Sequence, residues 1–273
     1  MTHPLRSFLY VPGYDEHRIA KAYRTKADCI VLDLEDAVPA SRRSEARSVV
    51  AGLLDTTLKP THVRLSAAWE EDLEALDGAG PLAVRLAKCD SPDAVRAVSQ
   101  ALDERGMQAF IYAVIESALG VERMVEIASA DRRVAGLILG EADLRADLRV
   151  TDDEGLNYAR LRAVSASRAV GLPGPIQSVF TDVHDADGLL RTTVWGRSVG
   201  FSGRSAIHPS QIEFIHQAYT PSDVEVARAQ EVVDMFEAAV EVGSATALTF
   251  DGRFVDPATV ASARWTLQNS RKR

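Results

Sequence analysis

Ala113-Val114-Ile115-Glu116-Ser117 and Gly140-Glu141-Ala142-Asp143-Leu144 decide how this chain folds. The first closes an apolar run that begins at Phe110, and the second follows an apolar run from Val134 to Leu139. Both runs have the length and composition of strands buried on both faces. A carboxylate at the mouth of such a strand is costly to desolvate unless it is paired, bound to metal or left in contact with water. Its recurrence in two successive strands points to a site rather than to surface decoration.

Working outward, β-prone runs at Phe8 to Val11, Cys29 to Leu34, Val63 to Leu65 and Leu82 to Ala87 precede this pair. Two more follow, at Pro175 to Phe180 and Ser205 to Ile207. Segments of helical period separate them: Glu16 to Lys26, Ser41 to Leu54, a helix opened by Ser91-Pro92-Asp93 and reaching Arg105, Val121 to Ser129, Asn157 to Val170, and Leu189 to Val199. Glu70 to Leu76 reads as an acidic segment, and the stretch after Asp143 as a longer connection. Eight strands alternating with helices predict an α/β fold, a closed (β/α)₈ TIM barrel. The competing open doubly wound sheet lacks its three-glycine fingerprint at the first turn, Pro12-Gly13-Tyr14-Asp15.

Beyond the eighth strand come a helix from Ser210 to Tyr219, a second capped by Pro221-Ser222-Asp223 and running to Val242, and a hairpin from Leu248 to Val255 around Asp251-Gly252. A last helix, Pro257 to Gln268, ends in a basic tail. The expected organisation is a catalytic barrel over residues 1–219 and a C-terminal helical and hairpin extension over 220–273. The extension exceeds what closure of a barrel requires, so it is expected to cover a site or to pack on a neighbouring subunit.

The 273 residues, 46% hydrophobic and 26% charged, suffice for one barrel-sized core. A net charge of −8 argues against general nucleic-acid binding. No apolar run reaches about 18 residues, so no membrane-spanning helix is expected, and Met1-Thr2-His3-Pro4-Leu5-Arg6 lacks a signal peptide's apolar stretch. Cys29 and Cys89 have no metal-type spacing and read as buried thiols, with a reducing cytoplasm as the expected location.

Barrel sites gather at the C-terminal strand ends. Here those ends carry Asp33, Glu35 and Asp36, then Arg64, Lys88, Glu116, Asp143 and His208. Two readings are open for Glu116 and Asp143: hard-oxygen coordination of Mg²⁺, which uses one or two protein carboxylates and leaves the rest to water and substrate, or acids held by lysine, arginine or helix-start amides. The absence of a histidine or cysteine cluster in the sequence points away from structural zinc. Arg64, inside the apolar run Val63-Arg64-Leu65, suits either bidentate binding of a substrate carboxylate or an internal salt bridge to Glu35 or Asp36. His208, followed by Pro209 and Ser210, is expected to fix the turn into a helix. A Schiff base on Lys88 needs a depressed pKa, which the surrounding acids oppose. There is no nucleophile elbow for acyl chemistry.

Leu5-Arg6-Ser7-Phe8-Leu9-Tyr10-Val11-Pro12-Gly13, the Leu32-Asp33-Leu34-Glu35-Asp36-Ala37-Val38 stretch, Val63-Arg64, Ile115-Glu116-Ser117, the glycine-to-leucine segment 140–144, and Gly200 to Ile212 with its Ile207-His208-Pro209 resemble, in order, the citrate lyase β-subunit family within the HpcH/HpaI aldolase superfamily. The resemblance runs from Leu5 to about Ala263. It implies a magnesium-dependent lyase that makes or breaks a carbon–carbon bond in a 3-hydroxyacyl thioester of the malyl, citramalyl or citryl type, with acetyl-CoA and a small 2-oxo acid as products. Glu116 and Asp143 would then hold Mg²⁺, while Arg64, Glu35 and Glu116 face the substrate. The segment Phe250 to Asp256 resembles one that reaches a neighbouring subunit, which makes Asp256 the acid/base, alongside Arg64 as the second catalytic residue, and implies a homo-oligomer, a trimer or hexamer. Thioester hydrolysis, malate-synthase-like activity and work on an acyl carrier protein are the alternatives. Three positions depart from the family pattern: Glu141 stands one place early, Gln177 replaces an aspartate, and Ala87 replaces a proline.

Overall fold

Continuous apolar runs along short parallel strands require cover on both faces, and a ring of strands inside a ring of helices supplies it. The computed structural model describes residues 5–54, 59–78, 80, 82–249 and 251–270. Within these, β1 (Ser7–Pro12), β2 (Cys29–Asp33), β3 (Thr61–Leu65), β4 (Ala83–Leu86), β5 (Phe110–Ile115), β6 (Val134–Leu139), β7 (Ile176–Gln177) and β8 (Gly203–Ala206) pair in parallel, each with the next, and β8 closes on β1. The closed barrel read from the sequence is thus the fold. Its interior is filled by Phe8, Cys29, Val31, Val114, Ile138 and Ile176, with Tyr10 and Tyr112 packed against them.

The helices between strands are α1 (Glu16–Tyr23), α2 (Arg43–Leu54), α3 (Trp69–Ala75), α4 (Pro92–Glu104), α5 (Ala118–Glu122), α6 (Met124–Ala128), α7 (Glu141–Leu148), α8 (Asn157–Ala169) and α9 (Ala186–Val199), with α10 (Gln211–Tyr219) after β8. Three local expectations change. The helix expected from Val121 to Ser129 begins earlier, where the Ser117 hydroxyl accepts from the Gly120 amide, and it breaks at Arg123 into α5 and α6. The connection expected after Asp143 is α7, which places Asp143 in the first turn of a helix rather than at the strand tip. The run Pro175 to Phe180 contributes only two strand residues. Pro175 has no amide to donate, and beyond Gln177 the carbonyls of Ser178 and Phe180 accept from the side chains of Arg204 and Gln211 instead.

The chain divides into two compact units between His216 and Gln217. In the second, Ser222 caps α11 (Asp223–Glu241) with a reciprocal bond to Glu225, and β9 (Ala247–Leu248) pairs antiparallel with β10 (Phe254–Val255). Together with α12 (Pro257–Ser270) they enclose a small core of Ala229, Val232, Val233, Val255, Val260 and Ala263. The hairpin is as expected around Asp251-Gly252, with Gly252 at φ +79°; Phe250, the first four residues and the basic tail from 271 lie outside the described residues.

Candidate active site

The barrel's C-terminal mouth holds a cavity of about 380 Å³ whose wall includes Asp33, Asp36, Arg64, Glu116 and Asp143. Arg64 stands at its centre. Register sets Arg64 directly beside Asp33, and the two form a fork: Nε donates to Asp33 Oδ1 at 2.7 Å and Nη2 to Oδ2 at 2.6 Å. Nη1 lies 3.0 Å from Glu35 Oε2 and donates to Asp36 Oδ2 at 3.1 Å. Both expected partners are therefore present, but the principal one is Asp33. Burial opposes charge on Arg64, and the paired bonds and charge of Asp33 overcome it, so the guanidinium stays protonated. Asp33 is itself held by the amides of Glu35 and Ala37.

Glu116, 6% exposed at the end of β5, is pushed up to about 8, first by burial and then by the charges of Glu35 and Asp143. Burial likewise raises Glu35, against the pull of Arg64. Among the described residues Glu116 Oε2 has no hydrogen-bond partner, and Glu35 Oε2, although at ion-pair distance from Arg64, is not aligned for one. Such atoms are costly in a folded chain unless something else binds there. Gly140 permits the arrangement, because a Cβ there would come within 2.3 Å of Glu116 Cγ and 2.7 Å of Oε1. Asp143 stands in the first turn of α7, exposed, on the same cavity wall. The donor set is all oxygen, and among the described residues no group of three or more histidine, cysteine or acidic side chains could hold an ion unaided. Glu116, with its unbonded oxygen, and the exposed Asp143 on the same cavity wall fit Mg²⁺, which keeps positions for water and substrate.

Lys88 approaches from β4, with Nζ 3.5 Å from Glu35 Oε1. The charge of Glu35 raises its pKa, which removes the Schiff-base option. Its backbone is left-handed, at φ +49°. His208 Nδ1 pairs with the Ser210 hydroxyl and accepts from the Ser210 amide, the expected turn-fixing role. Glu141 is forked onto Arg160 at 3.0 and 2.6 Å, and the Gln177 amide donates to the Thr192 carbonyl on the helix side of β7. Asp256 lies in the second unit as the cap of α12, accepting from the Thr259 amide and hydroxyl at 2.8 and 2.7 Å. Those bonds hold its carboxyl below the usual range.

Asp33 was not read as Arg64's partner from the sequence, although both occupy inward positions that strand alternation could have matched. Tyr10 and Ser205, which also line the cavity, lie in apolar runs that gave no signal.

The family model described as HpcH/HpaI aldolase/citrate lyase matches residues 6–209, and one described as C–C bond lyase of the TIM-barrel fold matches 160–265. The chain is 32% identical to a (3S)-malyl-CoA thioesterase of Cereibacter sphaeroides, over 97% of this chain and 94% of that one. It is 32% identical to the citrate lyase subunit beta of Escherichia coli, covering 98% and 94%, and 32% identical to the mitochondrial citramalyl-CoA lyase of Homo sapiens, covering 97% and 85%. The crystal structure of CitE from Mycobacterium tuberculosis in complex with magnesium, acetoacetate and coenzyme A superposes with a TM-score of 0.83 at 29% identity, covering 98% of this chain and 99% of that one.

Proposed function

The chain belongs to the HpcH/HpaI aldolase/citrate lyase family, and on that premise we propose that it is a carbon–carbon lyase, magnesium-dependent, that splits a 3-hydroxyacyl-CoA thioester reversibly into acetyl-CoA and a 2-oxo acid. The observation that carries the reading is the pairing of bare carboxylate oxygens on Glu116 and Glu35 with a guanidinium locked in place by Asp33.

Mg²⁺ held by Glu116 and Asp143 would supply Lewis acidity for the hydroxyl and carboxylate of the substrate. As the carbon–carbon bond breaks, the substrate hydroxyl gives up its proton to solvent and becomes the carbonyl of the 2-oxo acid, and the bond's electron pair stays on the thioester fragment as an enolate. Asp33 fixes the plane of Arg64 before substrate arrives, so positive charge is preorganised for the oxygen that gains charge. Glu35 lies between Arg64 and Lys88 and restrains both cations. Asp256, contributed by a neighbouring subunit of a homotrimer or hexamer, would return a proton to the enolate carbon. Its lowered pKa keeps it ionised, the form that can take that proton in the condensation direction. Among the described residues no helix is long and apolar enough to cross a membrane. A reducing cytoplasm fits the two free, buried cysteines, Cys29 and Cys89.

The test is incubation of the purified chain with Mg²⁺, acetyl-CoA or propionyl-CoA, and glyoxylate, pyruvate or oxaloacetate, with thioester products read by mass. A hydroxyacyl adduct that disappears under chelator is expected; no adduct from any pair overturns the free-CoA lyase. The likeness to the malyl-CoA thioesterase favours one second reading, hydrolysis of the adduct, which would release free hydroxy acid in the same assay. Adducts formed only on an acyl carrier protein would place the chain in a carrier-dependent complex.

A further inference from the structure

Among the described residues, Arg85 is the largest fully buried side chain. It sits on β4, in register with Arg64. Its guanidinium lies over the rings of Phe8 and Tyr10, with Cζ 4.8 and 5.0 Å from their centroids. Nη1 donates to the Tyr10 hydroxyl at 2.9 Å and Nε approaches His62 Nδ1 at 3.4 Å. Burial and the charge of Arg85 keep His62 neutral. Among the described residues no carboxylate pairs with Arg85, and its Nη2 has no hydrogen-bond partner. A buried cation without a counter-charge is unfavourable unless one arrives from outside the chain.

The route to that charge is through Tyr10. Tyr10 accepts from Arg85, which leaves the phenol proton available to a further acceptor, and Tyr10 lines the cavity. Ser205 lines it as well, on β8 beside β1; it is 2% exposed, and its Oγ has no hydrogen-bond partner. The cavity thus offers two hydroxyl donors, one of them bonded to a buried positive charge, whereas its acids are committed to Arg64 or left open for a metal. Resting on the lyase reading, we propose that Tyr10 and Ser205, backed by Arg85, form a subsite for a second carboxylate on the 2-oxo acid half of the substrate, so that a dicarboxylic 2-oxo acid is preferred to a monocarboxylic one. A pocket built to hydrogen-bond a polar group discriminates strongly against an analogue that lacks it, because its own buried donors are then left unpaired.

Two measurements on the full chain in Mg²⁺ test this. Calorimetric titration with fresh oxaloacetate and with pyruvate reads the subsite without turnover, and kcat/KM for thioester formation with the same acids reads it during reaction. Oxaloacetate is expected to exceed pyruvate by about tenfold or more, and Tyr10→Phe to remove most of that ratio. Ser205→Ala, which leaves the bond between Arg85 and Tyr10 intact and so decides the matter if Tyr10→Phe fails to fold, is expected to lower the ratio about threefold or more. A wild-type ratio near or below one, or a ratio that Ser205→Ala and a folded Tyr10→Phe leave unchanged, overturns the subsite. Preferential binding of oxaloacetate that both variants lose, with no thioester formed, supports the subsite and removes the lyase; turnover without discrimination does the reverse.

Discussion

The two ends of the barrel treat charge in opposite ways. At the base, Asp28 accepts from the backbone and side chain of Arg6 at 2.8, 3.1 and 3.2 Å, and its Oδ1 lies 3.3 Å from His216 Nε2. His216 also bonds Ser7, whose hydroxyl accepts from the Asp28 amide. At the mouth, Glu35 and Glu116 each keep a buried oxygen without a hydrogen bond. The same chemical groups therefore hold strands together where their bonds are complete and are held ready for a ligand where they are not, the division expected of barrel enzymes.

The strongest way to break this contrast is Glu116→Gln. Loss of the charge is expected to lower kcat/KM by about 10³-fold or more and to abolish measurable Mg²⁺ binding. The melting temperature should hold or rise, since a buried carboxyl without a full set of partners disappears. A fall in melting temperature with activity retained would assign Glu116 to structure. Next in size is Gly140→Ala, whose methyl must push Glu116 aside; Mg²⁺ affinity by calorimetry is expected to weaken about 10- to 100-fold. At the base, Asp28→Asn should leave kcat/KM within about twofold while removing about 2 kcal/mol of stability in urea titration.

The pH dependence of that last difference has a definite sign. Burial alone would raise Asp28, but hydrogen bonds from His216 and Arg6 outweigh it and hold the folded-state pKa below the usual carboxylate value. Its contribution is then complete above the unfolded value of about 3.9 and is lost as pH falls toward the folded one. The stability gap between wild type and Asp28→Asn should close on acidification.

Much of this was legible in the chain. β5 and β6 are continuous apolar runs, so their bounds and the acids that follow them could be read directly. α7 could not: Glu141–Leu148 alternates polar and apolar residues and carries a single buried residue, Leu144, so no apolar stripe at helical spacing marked it. The partnership of Arg64 with Asp33 depends on the register of β2 against β3, which only the closed sheet specifies. The contact of Arg85 with Tyr10 spans 75 positions in sequence, and each residue alone looks like an interruption in an apolar strand.

Lys88 carries a cost of its own. A lysine in the left-handed region gives up about 1 kcal/mol or more that glycine would not. Selection for heat resistance would therefore favour Lys88→Gly, and the same change would take away the ammonium that faces Glu35. At this position durability and turnover compete for one residue, and a thermostable variant obtained by blind screening is expected to have traded there.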